Sequence, residues 1–166
     1  MKRKPSPAGS IISAFFELTK PRITTLILIS TALGYYLGNT GSVNTFNFII
    51  TMIGTALLSG GAGAINHFVE KDLDQLMDRT KSRPIPAGII ASQTALYFGI
   101  SLSILGLLIL FTLINSLTAV LGLITVLLYI FVYTPLKKIT WLNTTIGAIP
   151  GAMPALGGWA AVANEL

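Results

Sequence analysis

The sequence predicts an all-α integral membrane protein, a multi-helix bundle whose helices cross the bilayer. Of the 166 residues, 52% are hydrophobic and only 10% are charged, whereas soluble domains carry roughly 25% charged residues. The apolar residues also occur in long runs that do not alternate as the strands of a membrane barrel do. These two observations exclude a soluble domain.

Five apolar runs are long enough to cross a hydrocarbon core about 30 Å thick, which takes roughly 20 residues of helix. They are predicted as spans at residues 22–39, 46–67, 90–113, 117–134 and 143–163. Late in the second run, residues 60–64 are all Gly or Ala, and such small residues let helices pack closely in lipid. Ahead of the first span, Ile11–Thr19 is predicted to form a short interfacial helix within a cytoplasmic segment, residues 1–21.

The basic residues predict the orientation of the bundle. All 11 of them fall into three segments that five spans would place on one side, and cytoplasmic loops carry the excess of Lys and Arg. The N-terminus is therefore predicted to be cytoplasmic, in a bacterial inner membrane. The net charge of +5 follows from this bias, so it implies no nucleic-acid partner. The three segments contain Lys2, Arg3, Lys4, Lys20 and Arg22; Lys71, Arg79, Lys81 and Arg83; and Lys137 and Lys138.

Four of the six acidic residues cluster where the second span ends. Asn66, Glu70 and Asp74 are spaced four residues apart, so a continuing helix would place all three side chains on one face. Asp78 would extend this row by one turn if the helix lasted, whereas Asp72 falls on a different face.

The oxygen atoms of these side chains are hard ligands that suit Mg²⁺, which typically binds one or two carboxylates, several waters and substrate phosphate oxygens. Arg79 and Arg83 follow directly and offer the bidentate donors that match phosphate. Pro84 and Pro86 are expected to end the helix. The cluster therefore predicts a site for a metal-chelated diphosphate, and the alternative is a polar helix end whose charges pair in water.

The sequence around these residues also resembles the signature of a known protein family. Asn66-x-x-x-Glu70-x-x-x-Asp74, followed by Met77-x-Arg79-Thr80-x-x-Arg83-Pro84, resembles the first signature of the UbiA superfamily of intramembrane prenyltransferases. Within it, the chain is most similar to the branch that farnesylates protoheme IX, the haem O synthases. Three further blocks resemble that branch, at residues 18–24, 133–140 and 143–159.

The resemblance implies a fold of roughly nine helices around a cavity that opens to lipid, of which residues 22–166 would form part. It implies transfer of the farnesyl group of farnesyl diphosphate to a vinyl group of haem B, with Mg²⁺ bridging the diphosphate. Asn66, Glu70 and Asp74 would then be the catalytic, metal-binding residues. The remaining implied site residues are Asp72 and Asp78, which would assist the metal, and Arg22, Arg79, Arg83, Lys137 and Lys138, which would hold the diphosphate.

One departure from the family concerns its second acidic cluster, which lies on a later helix. Here the only acidic residue after Asp78 is Glu165. The chain is therefore expected to be incomplete: a fragment, a truncated reading frame or half of a split enzyme. Its expected partners are the lipid bilayer, a chain carrying the second half, and assembly proteins of the haem-copper oxidases.

Three other functions remain open from the residues alone. Prenyl transfer to an aromatic acid or a quinone precursor would use the same acidic row, although the glycine- and proline-rich block at residues 147–159 favours haem. A cation transporter could bind its ion on the row. An inactive membrane fragment would insert and bind nothing.

Overall fold

The computed structural model describes residues 7–137 and 139–165, which are helical apart from the connecting turns. Lys138 and residues 1–6 of the predicted cytoplasmic segment lie outside the described residues. The helices, in chain order, are α1 (Pro7–Leu18), α2 (Pro21–Gly38), α3 (Thr45–Leu76), α4 (Ser92–Leu113), α5 (Ser116–Leu127), a π-helical segment (Leu128–Tyr133), α6 (Thr134–Leu136) and α7 (Asn143–Ala163).

Within the described residues, four helices are long and apolar enough to cross a membrane, and they confirm the second to fifth predicted spans. They are Thr45–Leu76, Ser92–Leu113, the continuous stretch Ser116–Leu136, and Asn143–Ala163. Helix α2 occupies the position of the first predicted span, but its 18 residues include Pro21, Arg22 and several hydroxyl side chains, which lower its apolar character. That α2 crosses the membrane remains a prediction.

Helices α3 and α4 pack antiparallel along lines of small residues. A Cβ atom on Gly99 would lie 2.9 Å from the carbonyl oxygen of Gly61, and one on Gly106 would lie 2.7 Å from that of Gly54. Because only hydrogen atoms fit between these backbones, the two helices approach as closely as small residues allow in lipid.

Helix α2 packs against α7 in the same way. A Cβ atom on Gly34 would overlap the backbone of Ala155, and one on Gly158 would overlap the backbone of Thr31. Glycine at these two positions is therefore a steric requirement of the α2–α7 contact.

Helix α1 overlaps the predicted short helix at Ile11–Thr19 and packs on the small-residue run of α3. Its place at the membrane interface remains a prediction. Its C-terminal Leu18 is fully buried with Ala64, Ile85 and Ile90, and a Cβ atom on Gly63 would lie 3.0 Å from the carbonyl oxygen of Leu18. This contact brings the turn between α1 and α2 close to the last turns of α3, where the acidic row begins.

Candidate active site at the end of helix α3

The predicted row of oxygen-bearing side chains is present on one buried face of α3. Asn66, Glu70 and Asp74 are 2%, 5% and 4% exposed, and all three lie before the helix ends at Leu76. With 32 residues, α3 is about 48 Å long, which exceeds a hydrocarbon core of about 30 Å. The row therefore falls in the part of α3 that extends towards the membrane boundary.

Each side chain of the row has a basic partner from a different segment of the chain. Lys20, in the turn before α2, donates a hydrogen bond from Nζ to Oδ1 of Asn66. Lys137, which follows α6, has its Nζ 3.1 Å from Oε1 of Glu70. Arg83, in the loop after α3, has its Nη1 2.6 Å from Oδ2 of Asp74. Buried carboxylates need such partners because an isolated buried charge is very costly.

A chain of hydrogen bonds fixes the amide of Asn66. Its Nδ2 donates to Oγ1 of Thr134 at 3.0 Å, and that hydroxyl donates to the carbonyl oxygen of Tyr129 at 2.8 Å. Since Nδ2 is held by Thr134, Oδ1 faces Lys20 and the site. Thr134 follows the π-helical segment, a rare element that often occurs at functional sites, and Pro135 has no N–H to continue the regular helical bonding there.

The loop after α3 folds back onto the row. Met77 has an extended backbone, with φ −103° and ψ 126°, which ends the helix. Thr80, 1% exposed, donates from Oγ1 to the carbonyl oxygen of Asp74 at 3.1 Å. This turn returns Arg83 to Asp74, whereas a helix continuing past Leu76 would have carried the following residues away from the row.

Lys20 is the site residue that the sequence did not single out. Its backbone is left-handed, with φ 50° and ψ 59°, which is uncommon for a residue with a side chain. Its Nζ also donates to the hydroxyl of Tyr129 at 3.3 Å. Burial lowers the pKa of Lys20 to about 8, partly opposed by the nearby charge of Glu70. The sequence feature that could have identified Lys20 is its position directly before Pro21, the first residue of α2. The backbone at that junction sets the direction of the Lys20 side chain.

Several residues implied by the resemblance lie away from the row. Asp72, Arg79 and Arg22 are exposed, whereas the three side chains of the row are buried. Asp78 does not extend the row, because α3 ends two residues before it. Its carboxylate instead pairs with Lys81 at 2.6 Å, in an exposed contact.

The donor set of the row fits Mg²⁺ bound through a substrate. Two carboxylates and one amide oxygen match the one or two carboxylates that Mg²⁺ usually takes, with waters and phosphate oxygens completing the octahedron. Within the described residues, no group of three or more His, Cys, Asp and Glu could hold a metal ion. Three protein oxygens leave positions free on an octahedral ion, so the row suits a metal that also binds phosphate oxygens.

A cavity of about 580 Å³ lies between α2, α3, α5 and α7, and it is lined by Lys20, the partner of Asn66. Lys20, Tyr129 and Tyr133 lie at the end near the row, and the rest of the lining is mostly apolar, with scattered hydroxyl groups. The rings of Tyr129 and Tyr133 are stacked, with centroids 5.6 Å apart. A mostly apolar cavity with the ammonium group of Lys20 at one end suits a ligand with an anionic head and a hydrocarbon tail.

Comparisons with known proteins agree with this arrangement. Residues 27–166 match the UbiA prenyltransferase family. A protein of Solibacter usitatus named protoheme IX farnesyltransferase is 45% identical over 161 residues, which are 92% of this chain and 55% of that protein. A protein of Myxococcus xanthus with the same name is 41% identical over 168 residues, covering 100% of this chain and 56% of that protein. The chain thus spans about half the length of the curated relatives it matches.

The fold is also shared with a solved structure. A UbiA homologue from Archaeoglobus fulgidus, bound to GPP and Mg²⁺, superposes with a TM-score of 0.78 at 18% sequence identity, covering 92% of this chain and 55% of that one. The same homologue bound to DMAPP and Mg²⁺ gives a TM-score of 0.77. The predicted all-helical, UbiA-type membrane fold is confirmed.

Proposed function

The chain belongs to the UbiA prenyltransferase family, and we propose that it forms the diphosphate-binding part of an enzyme that transfers a farnesyl group from farnesyl diphosphate to haem B. One observation carries the proposal: Asn66, Glu70 and Asp74 share a buried face, and each contacts a basic side chain from a different segment. The basic groups are donors for phosphate oxygens, and the row provides ligands for the accompanying metal.

In this proposal the basic side chains bind the leaving group. Arg83 offers a planar pair of donors to phosphate oxygens, and Lys20 and Lys137 offer compact positive charges. Negative charge develops on the bridging oxygen as the C1–O bond of farnesyl diphosphate breaks, and cationic groups already in place stabilise it most strongly. Asn66, Glu70 and Asp74 would hold Mg²⁺, which would supply further charge neutralisation on the diphosphate.

The cavity then has two tasks. Its apolar walls accommodate the prenyl chain and exclude bulk water from the allylic cation that remains after the diphosphate departs.

The terminal carbon of a haem B vinyl group forms a bond to C1 of the farnesyl group, and the cation moves to the inner vinyl carbon. Water adds there and loses a proton, so that haem B, farnesyl diphosphate and water yield the hydroxyethylfarnesyl haem and diphosphate.

Haem B as acceptor rests on the block at residues 147–159 and on the names of the two bacterial relatives. This block lies in α7, where Gly147, Pro150, Gly151, Met153 and Pro154 line the cavity. Helix-interior prolines and glycines leave little side chain on this wall, which gives a large planar acceptor room beside the prenyl chain.

The remaining assignments follow from the same proposal. Residues 22–166 contribute to a transmembrane prenyltransferase domain, and residues 1–21 are the cytoplasmic segment before it, in a bacterial inner membrane. Chain beyond the half that this protein shares with its relatives would complete the cavity and supply the second acidic cluster.

A chimeric enzyme tests the proposal. This chain replaces the aligned half of the Solibacter usitatus relative, and membranes containing the chimera receive farnesyl diphosphate, Mg²⁺ and either haem B or 4-hydroxybenzoate. We expect farnesylated haem by mass spectrometry, and none from the Asp74→Asn chimera at an equal membrane level. Prenylation of 4-hydroxybenzoate alone would overturn the haem assignment, and no prenylation of either acceptor by a stably inserted chimera would overturn the proposed function.

A further inference from the structure

Two hydroxyl groups from different helices meet at the cavity wall beyond Lys20. Oγ1 of Thr24, on α2, lies 2.9 Å from Oγ of Ser59, on α3, and both residues line the cavity. Ser59 projects from the face of α3 that carries Asn66, because the two residues are seven positions apart, or nearly two helical turns. Thr24 and Ser59, which we call the hydroxyl pair, are thus the first polar residues of α2 and α3 that line the cavity beyond Lys20 and the row.

The direction of the hydrogen bonds in the hydroxyl pair follows from the number of protons. Oγ1 of Thr24 donates to the carbonyl oxygen of Thr19 at 2.9 Å, and a hydroxyl group has one proton and two lone pairs. The contact within the pair must then use the proton of Ser59, so that Oγ of Ser59 donates to Oγ1 of Thr24. Both lone pairs on Oγ of Ser59 are left to accept hydrogen bonds from a group in the cavity.

Other hydroxyl groups of the lining donate within their own helices. Oγ1 of Thr31 donates to the carbonyl oxygen of Ile27 at 2.9 Å, and Oγ1 of Thr125 donates to that of Leu121 at 2.7 Å. Such bonds are the usual way in which a threonine hydroxyl is satisfied inside a helix. The proton of Ser59 is instead held by a residue of a different helix, which directs the accepting side of its oxygen.

The proposed reaction needs an acceptor of this kind, because one water molecule must add while bulk water is excluded. After C1 of the farnesyl group joins the terminal vinyl carbon, the cation lies on the inner vinyl carbon, two bonds of about 1.5 Å from C1. The water must present a lone pair to this carbon, so its hydrogen atoms must point away from it. An accepting group on the cavity wall holds a water in that orientation, whereas a donor would compete for its lone pairs.

The position of Ser59 along α3 leaves room for the reacting groups. Ser59 is about 10 Å from Asn66 along the helix axis. The metal, the diphosphate and C1 of the donor would occupy the first part of this distance. The inner vinyl carbon and the water would occupy the rest.

Resting on the proposed function, we propose that Ser59, directed by Thr24, positions the water that adds to the cation. The water donates a hydrogen bond to Oγ of Ser59, and its oxygen forms the new C–O bond at the inner vinyl carbon. The proton that this oxygen then loses goes to the released diphosphate, whose oxygens are basic. Ser59 neither gains nor loses a proton, so it is a positioning residue.

Without a positioned water, the same cation has another route to a neutral product. It loses a proton from the adjacent CH₂ group, which is the former terminal vinyl carbon, and a carbon–carbon double bond forms there. This proton also goes to the diphosphate. The resulting alkene is lighter than the hydroxyethylfarnesyl haem by one water, so mass spectrometry separates the two products.

The measurement is the ratio of hydrated product to alkene from the chimera with the Solibacter usitatus relative, supplied with haem B, farnesyl diphosphate and Mg²⁺. Ser59→Ala removes the acceptor, and Thr24→Val removes the group that holds the Ser59 proton. In each variant the ratio should fall about tenfold, the effect of one lost hydrogen bond. Thr24→Ser keeps the hydroxyl group and should keep the wild-type ratio.

The control is Thr25→Val, at the next position of α2. The hydroxyl group of Thr25 donates to the carbonyl oxygen of Pro21 at 2.9 Å, and Thr25 is exposed and does not line the cavity. The product ratio of this variant should equal that of the wild type.

A product ratio does not depend on the amount of folded chimera. A hydroxyl pair that only holds α2 against α3 would therefore lower the yield in Ser59→Ala and Thr24→Val and leave the ratio unchanged, which would overturn this inference while the proposed function stands. If one of the two variants fails to insert, the other decides. If the wild-type chimera makes no farnesylated haem at all, the proposed function fails and this inference fails with it.

Discussion

The guanidinium Nη1 of Arg83 lies 2.6 Å from Oδ2 of Asp74, and the side chain of Asp74 is only 5% exposed. Asp74 lies on α3, and Arg83 lies nine residues later in the loop that folds back over the helix end. This contact joins a residue proposed to bind the metal to a residue proposed to bind the diphosphate. Removing either partner should therefore change the stability of the chain or its affinity for the donor.

Arg83→Ala should destabilise the chain. It leaves the carboxylate of Asp74 buried without its closest cation, and breaking such a pair costs about 3 kcal/mol. The unfolding midpoint in detergent should fall clearly, and added Mg²⁺ should raise it more in the variant than in the wild type, because the freed carboxylate attracts the ion.

The control for this prediction is Lys81→Ala, in the same loop. Its partner Asp78 has a side chain that is 97% exposed, and exposed ion pairs contribute little to stability. Equal midpoints for the Arg83 and Lys81 variants would contradict a special role for the Arg83–Asp74 contact.

Charge removal on the row should weaken Mg²⁺-dependent donor binding. Asp74→Asn and Glu70→Gln each keep the shape of the side chain and remove one negative charge. Losing one charged interaction should reduce the binding free energy of the donor by about 1.5–3 kcal/mol, which is about 10–100-fold in affinity. The measurement is the dissociation constant of farnesyl thiolodiphosphate at fixed Mg²⁺.

Asp72→Asn is the matched control, since Asp72 belongs to the same helix but is exposed. It should bind the analogue as the wild type does. A loss of affinity in Asp72→Asn as large as that in Asp74→Asn would show that general charge near the helix end, and not the buried face, governs binding.

The structure places Lys20 in contact with Asn66, whereas the resemblance implied Arg22 as a diphosphate ligand, and substitutions at the two positions compare these assignments. Lys20→Met keeps the apolar stem and removes the ammonium that contacts Asn66, so affinity for the diphosphate analogue should fall about tenfold, the equivalent of one interaction of about 1.4 kcal/mol. Arg22→Met should leave affinity unchanged, because the Arg22 side chain is exposed. The opposite result would restore Arg22 to the site and remove Lys20 from it.

The sequence predicted the parts of the fold and site that follow from local periodicity. Apolar runs located α3, α4, α5 and α7, and the four-residue spacing located Asn66, Glu70 and Asp74 on one face of α3. These predictions needed only the geometry of a single helix. The site assignment itself remains a proposal.

Contacts between segments could not be read from spacing. Lys20 and Arg22 are both basic and two residues apart, and only the left-handed turn at Lys20 directs its side chain to Asn66. Asp78 continues the spacing of the row, but α3 ends at Leu76. Asp78 would have joined the row only if the helix had lasted one more turn, and spacing alone did not show where the helix ends.

The α2–α7 contact predicts a sharp difference between two glycines of one helix. A Cβ atom on Gly158 would overlap the backbone of Thr31, whereas one on Gly151 would have no neighbour within 4 Å. Gly158→Ala should therefore lower stability by about 3 kcal/mol, the upper range for overpacking. Gly151→Ala should raise it by roughly 0.5–1 kcal/mol, because alanine loses less backbone entropy in a helix. Midpoints of thermal unfolding in detergent check both, and equal midpoints would contradict close α2–α7 packing.

The crossing of the membrane by α2 can be tested with single cysteines, since the sequence has none of its own. Ser13, Ser42 and Ser82 are exposed and precede α2, connect α2 to α3 and follow α3, respectively. If α2 crosses and the basic segments lie inside, an impermeant thiol reagent added outside intact cells should label Ser42→Cys only. The Ser13→Cys and Ser82→Cys chains should react only after the membrane is opened. Labelling of both Ser13→Cys and Ser42→Cys from outside would mean that α2 does not cross, because its two ends would then share one side while α3 still separates Ser42 from Ser82.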